Sequence, residues 1–214
     1  MFAINHAATA LLVKKAFPGV PMAWILISVQ FMEIIWVILN FAGIERTTTR
    51  DKVSYVGDIA LVHMPYSHSV ATMTGTALLS WLIIGRGFGH PEVGLAFAIG
   101  VFSHLILDLL THARDISPAP LVPEPRLGLG LYARSPIPAF FLEIGYGVFC
   151  WWVYGGGWVL LGIIAGFNLA NASMFFRKVP GLERWLAHRP RVITLVILVQ
   201  IIVTLILVGL FSRK

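Results

Sequence analysis

The chain has 214 residues, of which 57% are hydrophobic and only 12% charged, with a mean hydropathy of +0.82; this excludes an ordinary soluble domain and points to an integral membrane protein. The formal charge of +6 reports first on loop orientation in such a chain and makes no case for nucleic-acid binding. The single cysteine, Cys150, excludes disulfides and cysteine-based redox or metal motifs within one chain.

The first residues, "MFAINHAATALLVKKAFPG", carry His6 within the apolar part and their lysines after it, opposite to a cleavable signal peptide. They predict a short or tilted helix over 3–16, turned at "FPGVP" and hairpinned against the next one. A membrane-crossing helix needs about 20 mostly apolar residues. Such windows lie at 20–42, 69–86, 92–112, 136–154, 157–176 and 191–211. The expected fold is therefore all-α, a polytopic membrane helix bundle of six spans plus a short N-terminal helix. It forms one domain over 1–214, without internal repeats. With the N-terminus on one side, the loops 43–68, 113–135 and 177–191 share that side and hold eleven of the 16 Lys and Arg residues. The other five are Lys14, Lys15, Arg86, Arg213 and Lys214. The positive-inside bias makes the N-terminal side cytoplasmic, and it places His6, His63, His68 and His112 near that face.

Ionisable groups at lipid depth cost on the order of 2.5 to 3.5 kcal/mol each on insertion scales and therefore face a partner or a water-filled cavity. The candidates are His6, Glu33, His68, His104, Asp108 and Glu143. In "SHLILDLLTH", His104, Asp108 and His112 follow Gly100 at steps of four. Successive members are offset by only about 40° around a helix, so they form one narrow stripe facing the bundle interior. His68 with Thr72 and Thr76, Gln30 with Glu33, and Asn168 with Asn171 add polar positions on other spans. Imidazole and carboxylate groups are the ligands that zinc or manganese takes, and a cation removes the objection to burying both together. The same i,i+4 pair serves equally as a hydrogen-bonded contact between helices, and the Thr and Asn positions serve as packing contacts. His90 and His188 read as surface loop residues. Convergence of several spans on one half of the bilayer favours the metal over scattered structural contacts.

The ordered segments "NHAATALLVKKAFP", "QFMEIIWVI", "HMPYSHSV" and "SHLILDLLTHARD", followed by "RLGLGLY", resemble the bacterial membrane-bound metal-dependent hydrolases, the family of the LexA-binding inner-membrane hydrolases. The similarity covers about residues 4–145, and the last two spans match only as hydrophobic helices. The resemblance implies an all-helical bundle with an intramembrane metal site opening to one face. Position by position, it implies that His6, Glu33, His68, His104 and Asp108 are the metal-site residues. The chain departs from the family in two places. "MEIIW" supplies one Glu where relatives commonly have a Pro-Asp-x-Asp pattern, enough for one metal ion. "HMPY" replaces an "HRG" whose arginine would grip an anionic substrate, a charge that Arg114 or Arg134 would have to replace.

The leading expectation is a bacterial inner-membrane hydrolase with one divalent metal, zinc or manganese, bound by Glu33, His68, His104 and Asp108. His6 is a fifth ligand or support, and Glu143 or His112 a general base for the attacking water. Its substrate would be lipid-like or membrane-associated. The alternative is a non-catalytic or structurally metallated subunit of a larger membrane complex or homo-oligomer, contacting protein, lipid or pigment through segments such as "IGYGVFCWWVYGGGWVL". A transport path ranks last, because the polar groups cluster in one half of the membrane.

Overall fold

The computed structural model describes residues 1–122, 124–179 and 181–212; Arg213 and Lys214, counted above for orientation, lie outside the described residues. Among the described residues the chain forms eight α-helices: α1 (Ala3–Ala16), α2 (Met22–Phe41), α3 (Val70–Ser80), α4 (Pro91–Thr111), α5 (Leu131–Arg134), α6 (Pro136–Tyr154), α7 (Trp158–Ala170) and α8 (Pro190–Phe211). Each of the six apolar windows coincides with a helix. Four of these, α2, α4, α6 and α8, are long and apolar enough to cross a membrane. The window 69–86 is divided between α3 and a π-helical continuation, Trp81–Gly87, and α7 is a shorter apolar helix.

Helix α1 hairpins onto α2 as the sequence predicts, but it also packs against α6, α8, α4 and α7, so it is the axis of the bundle. Its residues Ala3–Leu11 are buried on every side. Ala7, Ala8 and Ala10 make this possible, because small residues let neighbouring backbones approach closely. Gly147 of α6 has the same role: a side chain there would run into Ile164 and Asn5. Between α2 and α4, Gly100 faces Ser28 so closely that an added Cβ would overlap the Ser28 hydroxyl. That contact fixes the depth at which the rest of the α4 stripe meets α2.

The loop after α2 is not plain coil. Thr47–Thr49 and the apolar run from Ile59 pair as an antiparallel hairpin, β1 (Arg46–Thr49) with β2 (Ile59–His63), in the register Thr47↔Leu61, Thr48↔Ala60 and Thr49↔Ile59. β-branched residues favour such pairing, and among the described residues the hairpin is the one sheet in a mostly helical chain. It covers the end of the bundle at which the loops 43–68, 113–135 and 171–189 gather. At that end the first amides of α3 are satisfied from outside the helix: Val70 donates to the Ser117 carbonyl (3.0 Å) and Ala71 to that of Pro118 (2.9 Å). Ser69 caps the helix by accepting from the Thr72 amide.

Gly100→Leu should force α2 and α4 apart and lower stability by about 1–3 kcal/mol through overpacking. Gly75→Ala, with nothing within 4 Å of the added methyl, should be nearly neutral. Thermal unfolding of the two variants in the same detergent checks this, and equal midpoints would contradict the close approach.

Candidate metal centre

The α4 stripe sits where its spacing puts it. His104 and Asp108 face α2 and α1, with relative exposures of 0% and 1%. Across from them Glu33 projects from α2, His6 from α1, and His68 from the segment entering α3. His68 Nε2 lies 3.4 Å from Glu33 Oε2 and 3.4 Å from Asp108 Oδ2. His104 Nε2 lies 3.5 Å and 3.1 Å from the same two oxygens. His6 stacks on His104, ring centroids 3.9 Å apart, and brings its Nε2 to 3.3 Å from Asp108 Oδ1. All five metal-site residues of the sequence reading thus meet at one place.

The outer partners settle which nitrogens point inward. His104 Nδ1 donates to the Val29 carbonyl (3.1 Å), which leaves Nε2 with its lone pair toward Glu33 and Asp108. The Ser67 hydroxyl gives its only proton to Glu45 Oε2 (2.5 Å), so at its 2.7 Å contact with His68 Nδ1 it must accept. His68 therefore also directs Nε2 inward. Glu45 is fixed in turn by the backbone amides of Tyr66 (2.9 Å) and Ser67 (2.8 Å). A carboxylate holding a ligating histidine through its far nitrogen is the usual outer support of a metal site.

Two groups can each offer one ligand atom per residue within 4.8 Å of one another: Glu33, His68 and His104, and His6, His104 and Asp108. They share His104, whose single inward lone pair can serve only one ion. The 3.4 Å approach of Asp108 to His68 joins them into one donor set. Ligand atoms placed tetrahedrally at about 2.0–2.1 Å from zinc lie about 3.3–3.4 Å apart, and the four edges given above span 3.1–3.5 Å. His68 Nε2, His104 Nε2 and Asp108 Oδ2 are buried and have no hydrogen-bond partner among the described residues. Such orphaned atoms are rare in folded chains, and here they point at a common centre. Asp108 Oδ1 accepts from the Met1 amino group at 2.7 Å.

Burial disfavours the charged imidazole of His68, but Asp108 and Glu33 outweigh it and lift the pKa to about 10. A proton and a metal ion compete for the same Nε2 lone pair.

His112 caps the end of α4, at the rim of the centre, with Nε2 3.5 Å from Asp108 Oδ1 and Nδ1 3.6 Å from Asp115 Oδ1. Glu143 lies behind the centre instead. Its carboxylate accepts from the Asn5 amide and the Tyr132 hydroxyl, and it does not line the cavity in front of the metal centre, whereas Tyr132 does. Burial and the Glu143 carboxylate push the Tyr132 phenol well above its usual pKa, so Tyr132 remains a donor. The cavity, about 400 Å³, is bounded by Glu33, His68, His112, Tyr132, Arg114 and Arg126, with apolar walls from Trp36, β2 and α8. Of the two arginines considered from sequence, Arg114 lines it and Arg134 does not; Arg126 joins instead. His63 lies exposed on β2, and His90 precedes the first turn of α4 at the far end. Sequence reasoning missed Asn5, Glu45, Ser67 and Tyr132. Only Ser67, adjacent to His68, carried a local signal.

His104→Ala and Asp108→Ala should each abolish stoichiometric metal binding while the protein still assembles, read by elemental analysis after size exclusion. Glu45→Gln and Ser67→Ala should weaken metal affinity about 10- to 100-fold without abolishing it, read by chelator competition. Affinity should rise between pH 6 and pH 8 as the His68 proton becomes easier to displace, and a flat profile would contradict the role given to that nitrogen.

No protein-family model, no curated protein and no solved structure matches this chain.

Proposed function

We propose that the chain is an integral membrane hydrolase that holds one divalent ion, zinc or manganese, through Glu33, His68, His104 and Asp108, with His6 completing the set. The observation that carries this reading is the convergence of candidate ligand groups from α1, α2, α4 and the segment before α3 on one place, where His68 Nε2, His104 Nε2 and Asp108 Oδ2 are buried with no hydrogen-bond partner among the described residues. An ion of this kind would polarise a scissile carbonyl or phosphoryl group and bring the pKa of water toward about 7. Glu33, at 19% exposure the most open member of the set, marks the side facing the cavity. His112 stands at that side, backed by Asp115, and is placed to take the proton of an attacking water. Tyr132, whose one hydroxyl proton goes to Glu143, lines the cavity and presents its oxygen there as an acceptor.

In this reading α3 with its π-helical continuation and α7 count with the four long helices as six spans. The basic loops face the cytoplasm of a bacterial inner membrane, and the kinship is with the membrane-bound metal-dependent hydrolases. An opening at that end, between helices, suits a lipid-like or membrane-associated substrate. The exposed aromatic residues of α6 and α7, Phe141, Trp152 and Trp158, favour a second role as a surface toward lipid or a partner chain. That role becomes the main one if no metal is present.

Protein purified in mild detergent should contain about one metal ion per chain. Against a panel of lipid esters, His112→Ala should keep that ion and lose about 10²–10⁴-fold in turnover. Metal-free protein that co-purifies in fixed stoichiometry with a larger assembly would replace the enzyme by the structural subunit.

A further inference from the structure

The lining of the cavity beside the candidate metal centre combines two chemically different sets of residues. One set is basic, Arg114 and Arg126. Arg114 makes no ion pair among the described residues. Arg126 is steadied over the hairpin by donating to the Val62 carbonyl (3.4 Å), and its other partner, Glu124 at 3.5 Å, is 71% exposed, a pairing worth little in water. Both arginines are therefore free to take a ligand. The other set is apolar: Trp36 from α2, Ile59 and Leu61 from β2, and Ile193, Val196 and Ile197 from α8. A volume of about 400 Å³ falls within the roughly 300–1,000 Å³ typical of small-molecule pockets.

The charges near the rim decide what kind of head fits. The donor set contains two carboxylates, Glu33 and Asp108, which match the charge of one divalent ion and leave little for an incoming anion. Asp115, also in the lining, lies against His112. The surplus positive charge is that of Arg114 and Arg126. Arginine forks pair with the several oxygens of a phosphate more completely than with an ester or hydroxyl.

We propose that the ligand of this cavity is an amphiphile with a phosphate head and an alkyl chain, the head held by Arg114 and Arg126 and the chain laid against Trp36, Leu61 and the Ile193–Ile197 face of α8. This rests on the hydrolase reading for what then happens to the ligand, but its capture needs only the arginines and the apolar wall. Arg114 and Arg126 both reach the cavity from the loop after α4.

The test uses the full chain in an uncharged detergent, first stripped with chelator and then loaded with manganese, with binding measured calorimetrically for hexyl phosphate, hexanol and inorganic phosphate. Hexyl phosphate should bind at least tenfold more tightly than either of the others in both forms. Arg114→Gln combined with Arg126→Gln should weaken hexyl phosphate about tenfold or more and leave hexanol unchanged, the hexanol value also correcting for partition into the micelle. Lengthening the chain from butyl to hexyl should strengthen binding by about fourfold per methylene buried. Equal affinities for hexyl phosphate and hexanol, or an unaffected double variant, would overturn the head assignment. Equal affinities for hexyl phosphate and inorganic phosphate would overturn the chain assignment. A protein that takes up neither manganese nor, in a parallel loading, zinc refutes the hydrolase reading alone, because the probe ratios are still read on the stripped form.

Discussion

Buried acceptor atoms that face one another across a few ångströms repel unless something positive lies between them, and this constraint organises the protein. His68 and His104 each spend their outer nitrogen on a fixed partner, Ser67 in one case and the Val29 carbonyl in the other. Their inner nitrogens are left without a hydrogen-bond partner and face the carboxylates of Glu33 and Asp108. In an interior of low dielectric such an arrangement is expensive without a cation and strongly favourable with one. The elements contributing to it, α1, α2, α4 and the start of α3, are those whose closest packing the fold enforces.

That packing depends on small residues placed where backbones cross. Gly100 lets α4 approach Ser28 of α2, and the alanines of α1 allow a helix to run through the middle of the bundle. Being central, α1 reaches both the metal centre, through His6, and the hydrogen-bonded group behind it, where Asn5 bonds Glu143 and Asn168. One short helix therefore couples two buried polar layers. Glu143 belongs to the rear layer, where saturation by donors suits it to holding Tyr132 rather than to abstracting protons.

The hairpin and the loop after α4 complete the centre from outside the lipid-crossing helices. β2 contributes the consecutive apolar residues Ile59, Ala60, Leu61 and Val62 to the cavity lining, and Arg126 is tied to it through the Val62 carbonyl. Helices can present ligands at depth, but they cannot easily supply both a roof and a charged rim. Irregular chain is tolerated in these positions because it lies at an end of the bundle, where water and protein partners satisfy its backbone.

Helical periodicity is local, and what depends on it was legible in the sequence. The i,i+4 recurrence of Gly100, His104, Asp108 and His112 dictated a single face, and the apolar windows marked a helix in each of six places. His6, Glu33, His68, His104 and Asp108, which the structure brings together, were all among the ionisable groups that the sequence sets in or beside apolar helices, where each needs a partner. What the tertiary structure alone decided depends on contacts between distant parts of the chain. Glu45 holds Ser67, and through it His68, from 22 residues before Ser67, and Tyr132 rather than Glu143 faces the cavity. Arg126 rather than Arg134 lines the cavity, α1 packs against four helices besides the α2 it was expected to hairpin with, and a run of threonines read as loop pairs with β2. None of these has a period or spacing of its own, since each is set by which surfaces meet when the helices pack.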